Sequence, residues 1–150
     1  MPNNSPVNLY VDGGSRGNPG PGSIAALLYN SDNQLLRKYA EHIGECTNNE
    51  AEYKALLKGL DLCAKHTIGR VSCFSDCKLV VKQMSKQWRV AADNLRPLHI
   101  EALGKQQLFA NVTYSHVRRT NQKIKQADQL VKQAHEGNFI DETYVDTNSR

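Results

Sequence analysis

Long apolar runs are missing from this sequence, and their absence argues against an integral membrane protein. No stretch approaches the roughly 18 consecutive apolar residues of a membrane-spanning helix. The opening segment, MPNNSPVN, lacks the basic and apolar regions of a secretory signal peptide. We therefore expect a cytoplasmic protein that has no membrane partner.

Cysteine and histidine patterns that bind metals are also missing. The four cysteines form neither a CxxC pair nor a zinc-ribbon spacing, and the five histidines form no HExxH motif. We expect the cysteines to be reduced thiols that serve as small core residues. The sequence thus offers no metal site built from these two residue types.

A strong excess of one charge is absent as well. The 19 Lys and Arg residues against 15 Asp and Glu residues give a net charge of +4, which favours a polyanionic partner only mildly. The 150 residues, 39% of them hydrophobic, suit one domain over 1–150 with its core at about 7–137. We expect residues 138–150 to be a loosely ordered tail, and the protein to be a monomer without an obligate protein partner.

Hydrophobic patterning divides the chain into two halves. In the first half it predicts three strands and two turns, with the strands at 7–11, 23–29 and 34–43 and the turns at 13–22 and 30–33. In the second half, helices alternate with strands. The pattern predicts a helix from a TNNE capping box at 47–50 to about 66, stopped by Gly69, then a strand at 71–75 and a helix through Leu79, Val80 and Met84. A helix at 95–109, a strand at 112–117 and a helix at 125–135 follow. This order predicts a mixed α/β fold, with an antiparallel meander of three strands followed by parallel pairing.

Four acidic residues stand out from this pattern. Asp12 and Asp76 each follow an apolar strand, and the carboxyl ends of parallel strands are where ligand sites form. Glu52 lies on the inward face of its helix, and Asp128 lies beside the apolar stripe of the last helix. Three of them also have a structural explanation, as a helix N-cap for Asp76 and as a first-turn acid for Glu52 and Asp128.

A metal site explains the acids as a set better than four separate structural roles do. Several carboxylates gathered in one place repel one another, and partly buried anions are costly unless cations bring them together. Hard oxygen ligands without His or Cys point to Mg²⁺ or Mn²⁺.

Four segments resemble a known family in both order and spacing. YVDGGSRGNPGPG, TNNEAEY, FSDCKLVVKQM and QADQLV are similar to the four acidic motifs of type 1 ribonuclease H, and the resemblance covers about residues 7–137. It implies a five-stranded mixed sheet flanked by helices. It also implies that the catalytic, metal-binding acids are Asp12, Glu52, Asp76 and Asp128, whereas Glu50 keeps a helix-capping role.

The resemblance further implies an activity. Family enzymes cut the RNA strand of RNA/DNA hybrids with two Mg²⁺ ions about 4 Å apart, which Mn²⁺ can replace. One ion readies a water for in-line attack on phosphorus, and the other stabilises the leaving 3′ oxygen. The expected products carry 5′-phosphate and 3′-hydroxyl ends.

Nucleic-acid contacts are carried over by position. Ribose 2′-hydroxyls are read from a shallow groove, and the residues that would face the RNA are Gly13, Gly14, Ser15, Asn18, Asn48 and Asn49. A basic stripe at helical spacing beside an aromatic residue would face the DNA phosphates and sugars: Lys78, Lys82, Lys86, Trp88 and Arg89. The alternatives stay open: turn formation for the glycines, helix-start chemistry for the two Asn residues of TNNE, and a solvated helix face for the stripe.

The chain departs from the family pattern in three places. Lys78 stands where many members carry Gln. The loop from Arg118 to Ala127 lacks the His that many members use, so Arg119 or Thr120 is the nearest candidate helper, and His116 is expected to be packed in its strand. The segment after Trp88 leaves no room for a basic protruding helix.

Two other functions remain to be separated from hybrid cleavage. A nuclease of the same fold, such as a Holliday-junction resolvase or a transposase core, would act on another nucleic acid. A catalytically weak hybrid-binding module would keep the fold but little of the cleavage activity. The complete DGGSRGNPG and TNN segments argue against the first, and the presence of all four acids argues against the second.

Overall fold

The first half of the chain forms an antiparallel meander in the computed structural model, which describes residues 3–146. Its strands are β1 (Val7–Ser15), β2 (Gly20–Asn30) and β3 (Leu35–Cys46). The meander confirms the predicted order, but β1 and β2 continue through the Gly-rich segment that was predicted to be a turn. Gly13 pairs with Ile24 and Ser15 with Gly22, because ladder hydrogen bonds need only the backbone. Asp12 therefore lies within β1 rather than after it.

The second half alternates helices and strands. The elements are α1 (Asn48–Ala64), β4 (Arg70–Ser75), α2 (Lys78–Met84), α3 (Arg96–Gln106), β5 (Asn111–His116), α4 (Gln122–His135) and β6 (Ile140–Thr143). β4 pairs with β1 and β5 pairs with β4, both in parallel. The predicted parallel pairing is confirmed, and α1 ends before Gly69, which is not its stop.

The sheet has six strands where five were predicted. Their order is β5-β4-β1-β2-β3-β6. β6 lies in the range expected to be a loosely ordered tail and pairs antiparallel with β3. Its sequence, IDET, has no apolar alternation, so the strand depends on its neighbour: Arg37 Nη2 lies 2.6 Å from Asp141 Oδ1. Residues 147–150 of the predicted tail lie outside the described residues.

Both faces of the sheet are covered by helices. Alternation along β1 directs Leu9 and Val11 into the core beneath α1, and Tyr10 into the core beneath α4. Helix α1 packs closely because Gly59 faces the sheet, where a Cβ atom would lie 2.8 Å from Leu9 Cδ2. Each of the two helices, α1 and α4, is therefore held against β1 by its own hydrophobic core.

Side-chain caps set where α1 and α4 begin. Thr47 Oγ1 accepts from the Glu50 amide at 3.1 Å, and Glu50 Oε1 accepts from the Thr47 amide at 2.8 Å, which confirms the predicted capping box. Asn121 Oδ1 accepts from the amides of Lys123 and Ile124. Because α4 begins three residues before the predicted position 125, Asp128 lies beyond the first helical turn. Within residues 3–146, no helix has the length and apolar character needed to cross a membrane.

Candidate active site

Three of the four predicted acids meet at one point of the fold. Asp12 lies in β1, Asp76 directly follows β4, and Glu52 lies near the start of α1. One carboxylate oxygen from each lies within 4.8 Å of the others. Continuing the parallel register of Tyr10 with Phe74 by two residues brings Asp12 beside Asp76. The pairing of β1 with β4 ends two residues before both aspartates and therefore brings them near each other.

Glu52 reaches the two aspartates because the start of α1 touches the backbone of β1. The Gly13 amide donates to Glu52 Oε1 at 3.0 Å. A Cβ atom at position 13 would lie only 2.3 Å from the Ala51 carbonyl oxygen, so a larger residue would separate α1 from β1. The glycine that looked like a turn former instead permits this helix–strand contact.

The carboxylate cluster is electrostatically unfavourable by itself. Burial, followed by the charges of Asp76 and Asp128, raises the pKa of Asp12 from 3.8 to about 8. Burial, followed by the charges of Asp12 and Asp76, holds the pKa of Glu52 well above its ordinary value. The pKa of Asp76 is raised mainly by burial. Such a cluster must hold protons or a cation near neutral pH.

Asp128 lies at the rim of the same cleft. Its carboxylate is outside the close group of three and is 52% exposed, with Oδ2 3.2 Å from Lys132 Nζ. It nevertheless lines the cleft of about 450 Å³ that holds the other acids, and its charge raises the pKa values of Asp12 and Asp76. The structure thus brings three acids together and places the fourth beside them.

Four of the six residues predicted to face RNA line this cleft, whereas Ser15 and Asn18 lie outside its lining. Gly13, Gly14, Asn48 and Asn49 line it. Asn48 Oδ1 accepts from the Ser15 amide at 2.8 Å and from Ser15 Oγ at 3.1 Å. The Asn48 amide in turn donates to Asn18 Oδ1 at 3.0 Å. The turn between β1 and β2 is therefore tied to the start of α1.

The predicted basic stripe is not one helical face. Lys78 and Lys82 lie on α2, but that helix ends at Met84, and Lys86 has a left-handed φ of 62°. The amides of Gln87 and Trp88 both donate to the Lys82 carbonyl, so the chain reverses direction here. The helical stripe was wrong for Lys86 and Arg89, because the periodic pattern continues past the point where the backbone turns.

Trp88 still lies among the lysines. It is 45% exposed, and Lys78 Nζ is 5.9 Å from the centroid of its ring. Lys82 Nζ donates to Gln87 Oε1 at 2.8 Å, next to Trp88 in the chain. An aromatic surface flanked by cations is therefore present, although a turn rather than a helix builds it.

The loop after β5 places one positively charged side chain beside the acidic cluster. Arg119 Nε lies 3.5 Å from Asp76 Oδ2, with the arginine side chain 91% exposed. Thr120 is exposed and does not line the cleft. His116 was expected to be packed, but it is exposed at the end of the edge strand β5, and its charge lowers the pKa of Asp76. An edge strand has one open side, which the apolar run did not reveal.

Sequence reasoning missed four residues that line the cleft, the apolar Ile124 and Val131 and two with titratable side chains. Cys77 follows Asp76 directly, and burial raises its pKa to about 12. Lys125 lies on α4, three residues before Asp128. Their positions in the chain beside two of the acids were the available signal.

Most of this chain resembles a known protein family. Residues 10–134 match the family described as Reverse transcriptase-like. The chain is 37% identical over 129 residues to a bifunctional protein of Mycobacterium tuberculosis, and 34% identical over 129 residues to ribonuclease HI of Halobacterium salinarum. These matches cover 85% of this chain, but only 35% and 63% of the two relatives.

Solved structures share the fold. The N-terminal RNase H domain of the Mycobacterium tuberculosis protein superposes with a TM-score of 0.84 at 36% identity, covering 89% of this chain and 95% of that domain. RNase H1 of Halobacterium salinarum gives a TM-score of 0.84 at 32% identity, over 89% and 99% of the two chains. LC11-RNase H1, solved in complex with an RNA/DNA hybrid, gives 0.80 at 29% identity, over 87% and 97%.

Proposed function

The chain belongs to the reverse transcriptase-like family and, within it, to the type 1 ribonucleases H, and from this membership we propose that it is an endonuclease that hydrolyses the RNA strand of RNA/DNA hybrids. One observation carries the proposal. The carboxylate oxygens of Asp12, Glu52 and Asp76 meet within 4.8 Å, in a cleft that Asn48 and Asn49 also line. The hybrid bound to LC11-RNase H1 supports this choice of substrate.

The chemistry of these donors fits divalent cations. The cluster offers only hard oxygen ligands, and burial, followed by the charges of neighbouring carboxylates, raises the pKa of each member. A cation would stabilise the ionised carboxylates in the place of protons. We infer that Asp12, Glu52 and Asp76 hold Mg²⁺, with Asp128 joining from the rim, and that Mn²⁺ can substitute.

Bound cations would supply Lewis-acid activation of a water and charge stabilisation at the leaving oxygen, which suits products with 5′-phosphate and 3′-hydroxyl ends. The chain itself supplies position. The Gly13 amide fixes Glu52, strand pairing fixes Asp12 beside Asp76, and Arg119 lies at the open side of Asp76. Arg119 is exposed, so it is free to meet a phosphate oxygen as the substrate enters or leaves.

Substrate choice is assigned to the wall built from Gly13, Gly14, Ser15, Asn18, Asn48 and Asn49. Backbone and amide groups there present short, fixed polar contacts of the kind that read a 2′-hydroxyl in a shallow groove. Trp88 and the surrounding cations, Lys78, Lys82, Lys86 and Arg89, are assigned to the DNA strand. The cytoplasmic location, the monomeric state and the single domain over 1–150 stay predictions from the sequence.

A substrate panel tests the proposal. Labelled RNA/DNA hybrid, RNA/RNA, DNA/DNA and single-stranded RNA would be incubated with Mg²⁺, Mn²⁺ or EDTA, beside the matched Asp12→Asn variant. We expect cleavage of the RNA in the hybrid, fragments with 3′-hydroxyl ends, and no cleavage with EDTA or with the variant. Hybrid binding without cleavage by the unmodified protein would favour the binding module, and preferred cleavage of DNA junctions would favour the other nucleases of this fold.

A further inference from the structure

A buried polar chain links the acid-bearing helix to the turn that carries Trp88. Tyr53, the residue after Glu52, is fully buried, and its hydroxyl donates to Gln83 Oε1 at 2.6 Å. Gln83, on α2, is 4% exposed, and its Nε2 donates to the Arg89 carbonyl oxygen at 3.4 Å. Two buried side chains thus connect α1 to the residue next to Trp88.

The deep burial of the polar groups of Tyr53 and Gln83 requires a physical explanation. Both side chains lie within the hydrophobic layer beneath α1, where burying an amide is costly unless its hydrogen bonds are made. Leucine would fill the position of Gln83 without that cost. The amide instead makes a directional connection, because its oxygen accepts a hydrogen bond from Tyr53 of α1 and its nitrogen donates one to the turn.

Other contacts hold the same turn from outside. We define the Trp88 turn as residues 85–91. Arg96 donates from Nε to the Val90 carbonyl at 3.3 Å and from Nη2 to the Ala91 carbonyl at 2.8 Å. Beyond the turn, the Asn94 side chain hydrogen-bonds the Glu50 carboxylate, which caps α1. The second half of the Trp88 turn is therefore held by Gln83 at Arg89 and by Arg96 at Val90 and Ala91.

We propose that Tyr53 and Gln83 are positioning residues that fix the Trp88 turn relative to the carboxylate cluster, so that hybrid contacts and catalytic acids keep one spacing. The inference rests on the proposed function for its kinetic consequence. Tyr53 lies beside Glu52 in α1, so any displacement of α1 moves the acid and the turn together. Neither residue lines the cleft, and neither is assigned a contact with substrate.

Gln83→Leu and Tyr53→Phe remove the link while keeping most of the volume. We expect the KM for hybrid to rise about three- to tenfold, the range for one lost hydrogen bond, while kcat changes less than about twofold. Tyr114→Phe is the matched control, because Tyr114 donates to Gln106 Oε1 at 2.8 Å and neither residue belongs to the Trp88 turn. It should leave KM unchanged.

A double-mutant cycle separates positioning from general destabilisation. If Gln83 acts through the Trp88 turn, Gln83→Leu should raise KM in the unmodified protein but not in a Trp88→Ala background, since coupled residues are not additive. Effects that simply add in the two backgrounds would overturn the proposal. Tyr53→Phe keeps the test available if Gln83→Leu does not fold.

Trp88 also gives a readout that needs no activity. It is the single tryptophan of the chain, so intrinsic fluorescence reports the turn alone. We expect acrylamide to quench Trp88 more strongly in Gln83→Leu and Tyr53→Phe than in the unmodified protein or Tyr114→Phe. Unchanged quenching in folded variants would overturn the inference. If the unmodified protein cleaves no hybrid, the proposed function fails, whereas the quenching result still decides whether these residues position the turn.

Discussion

The carboxylate cluster and the Trp88 turn are held in place by different kinds of structure. On the acid side, parallel strand pairing and a backbone amide place Asp12, Asp76 and Glu52. On the basic side, a short helix is followed by a turn, and side-chain hydrogen bonds from Gln83 and Arg96 hold it. We therefore expect catalytic geometry to depend on the backbone of the sheet, and hybrid affinity to depend on replaceable side chains. Substitutions on the two sides should affect different kinetic constants.

The largest effect is expected on the acid side. Asp12→Asn or Asp76→Asn should lower cleavage by about a thousandfold or more, because charge stabilisation by bound cations is worth several kcal/mol. Hybrid binding measured without turnover should be largely retained. Glu50→Gln is the matched control, since Glu50 caps α1 and lies outside the cluster. A dead Glu50→Gln together with an active Glu52→Gln would show that the two helix acids had been exchanged.

The backbone contact beneath the acids predicts the next largest effect. Gly13→Ala places a Cβ atom 2.3 Å from the Ala51 carbonyl, so α1 must move away from β1 and carry Glu52 with it. We expect kcat to fall about tenfold or more and stability to fall by about 1–3 kcal/mol, the usual cost of overpacking. Gly104→Ala in α3 is the control, because its Cβ would meet nothing within 4 Å. Equal kcat values for the two variants would contradict the assigned role of Gly13.

The acid side should also make stability depend on pH when cations are removed. The pKa of Asp12 in the folded protein is about 8, against an ordinary value of 3.8, so the folded state binds more protons between these pH values. The free energy of unfolding should therefore decrease as pH rises from about 4 to about 8. Glu52 and Asp76 act in the same direction.

Thermal unfolding in EDTA measures this dependence. We expect the melting temperature to fall more steeply with pH for the unmodified protein than for Asp12→Asn, by about 10 °C or more, because a pKa shift of about four units corresponds to about 6 kcal/mol and this chain length gives about 2–4 °C per kcal/mol. Added Mg²⁺ should recover most of the difference at pH 8, because it binds the ionised carboxylates. Parallel curves for the two proteins would mean that Asp12 does not carry the raised pKa.

The same difference in how the acid side and the basic side are held explains how much of each could be predicted from the sequence. Motif order predicted the acid side well, because apolar strands and a capping box fix where acids stand. It did not show that β1 continues past Asp12, since glycines carry no side-chain signal for a ladder made by backbone atoms. On the basic side the 3.6-residue pattern predicted one face, but the chain leaves the helix at Met84. The edge strand β6 was missed because its order comes from pairing with β3.

Charge on the basic side should affect affinity more than turnover. Replacing Lys78, Lys82 and Lys86 together with Ala should weaken hybrid binding and reduce its log–log salt slope by up to about 0.9 for each lost phosphate contact. The kcat at saturating hybrid should change less than about twofold. As a matched control, Lys65→Ala, Arg70→Ala and Lys105→Ala remove equal charge from residues that neither line the cleft nor belong to the basic group around Trp88. Equal salt slopes for the two triple variants would show that Lys78, Lys82 and Lys86 form a solvated surface that makes no phosphate contact.

The smallest effect is expected from the histidines. His135 Nδ1 lies 3.0 Å from Ser23 Oγ between α4 and β2, and His99 Nδ1 lies 3.4 Å from the Tyr53 hydroxyl. His116 is the demanding case, because it is exposed and its charge already lowers the pKa of Asp76.

We nevertheless expect no single His→Ala variant to reduce turnover by more than about tenfold, below the range for removing a general acid or base. Carboxylates and their cations would account for water activation, and the loop from Arg118 to Ala127 supplies Arg119 rather than an imidazole at Asp76. Single-turnover and steady-state rates for alanine variants of all five histidines and of Arg119 test this. A single-turnover rate reduced a hundredfold in a folded His116→Ala protein would assign proton transfer to the edge of the sheet, and the acid side would then no longer account for the chemical step by itself.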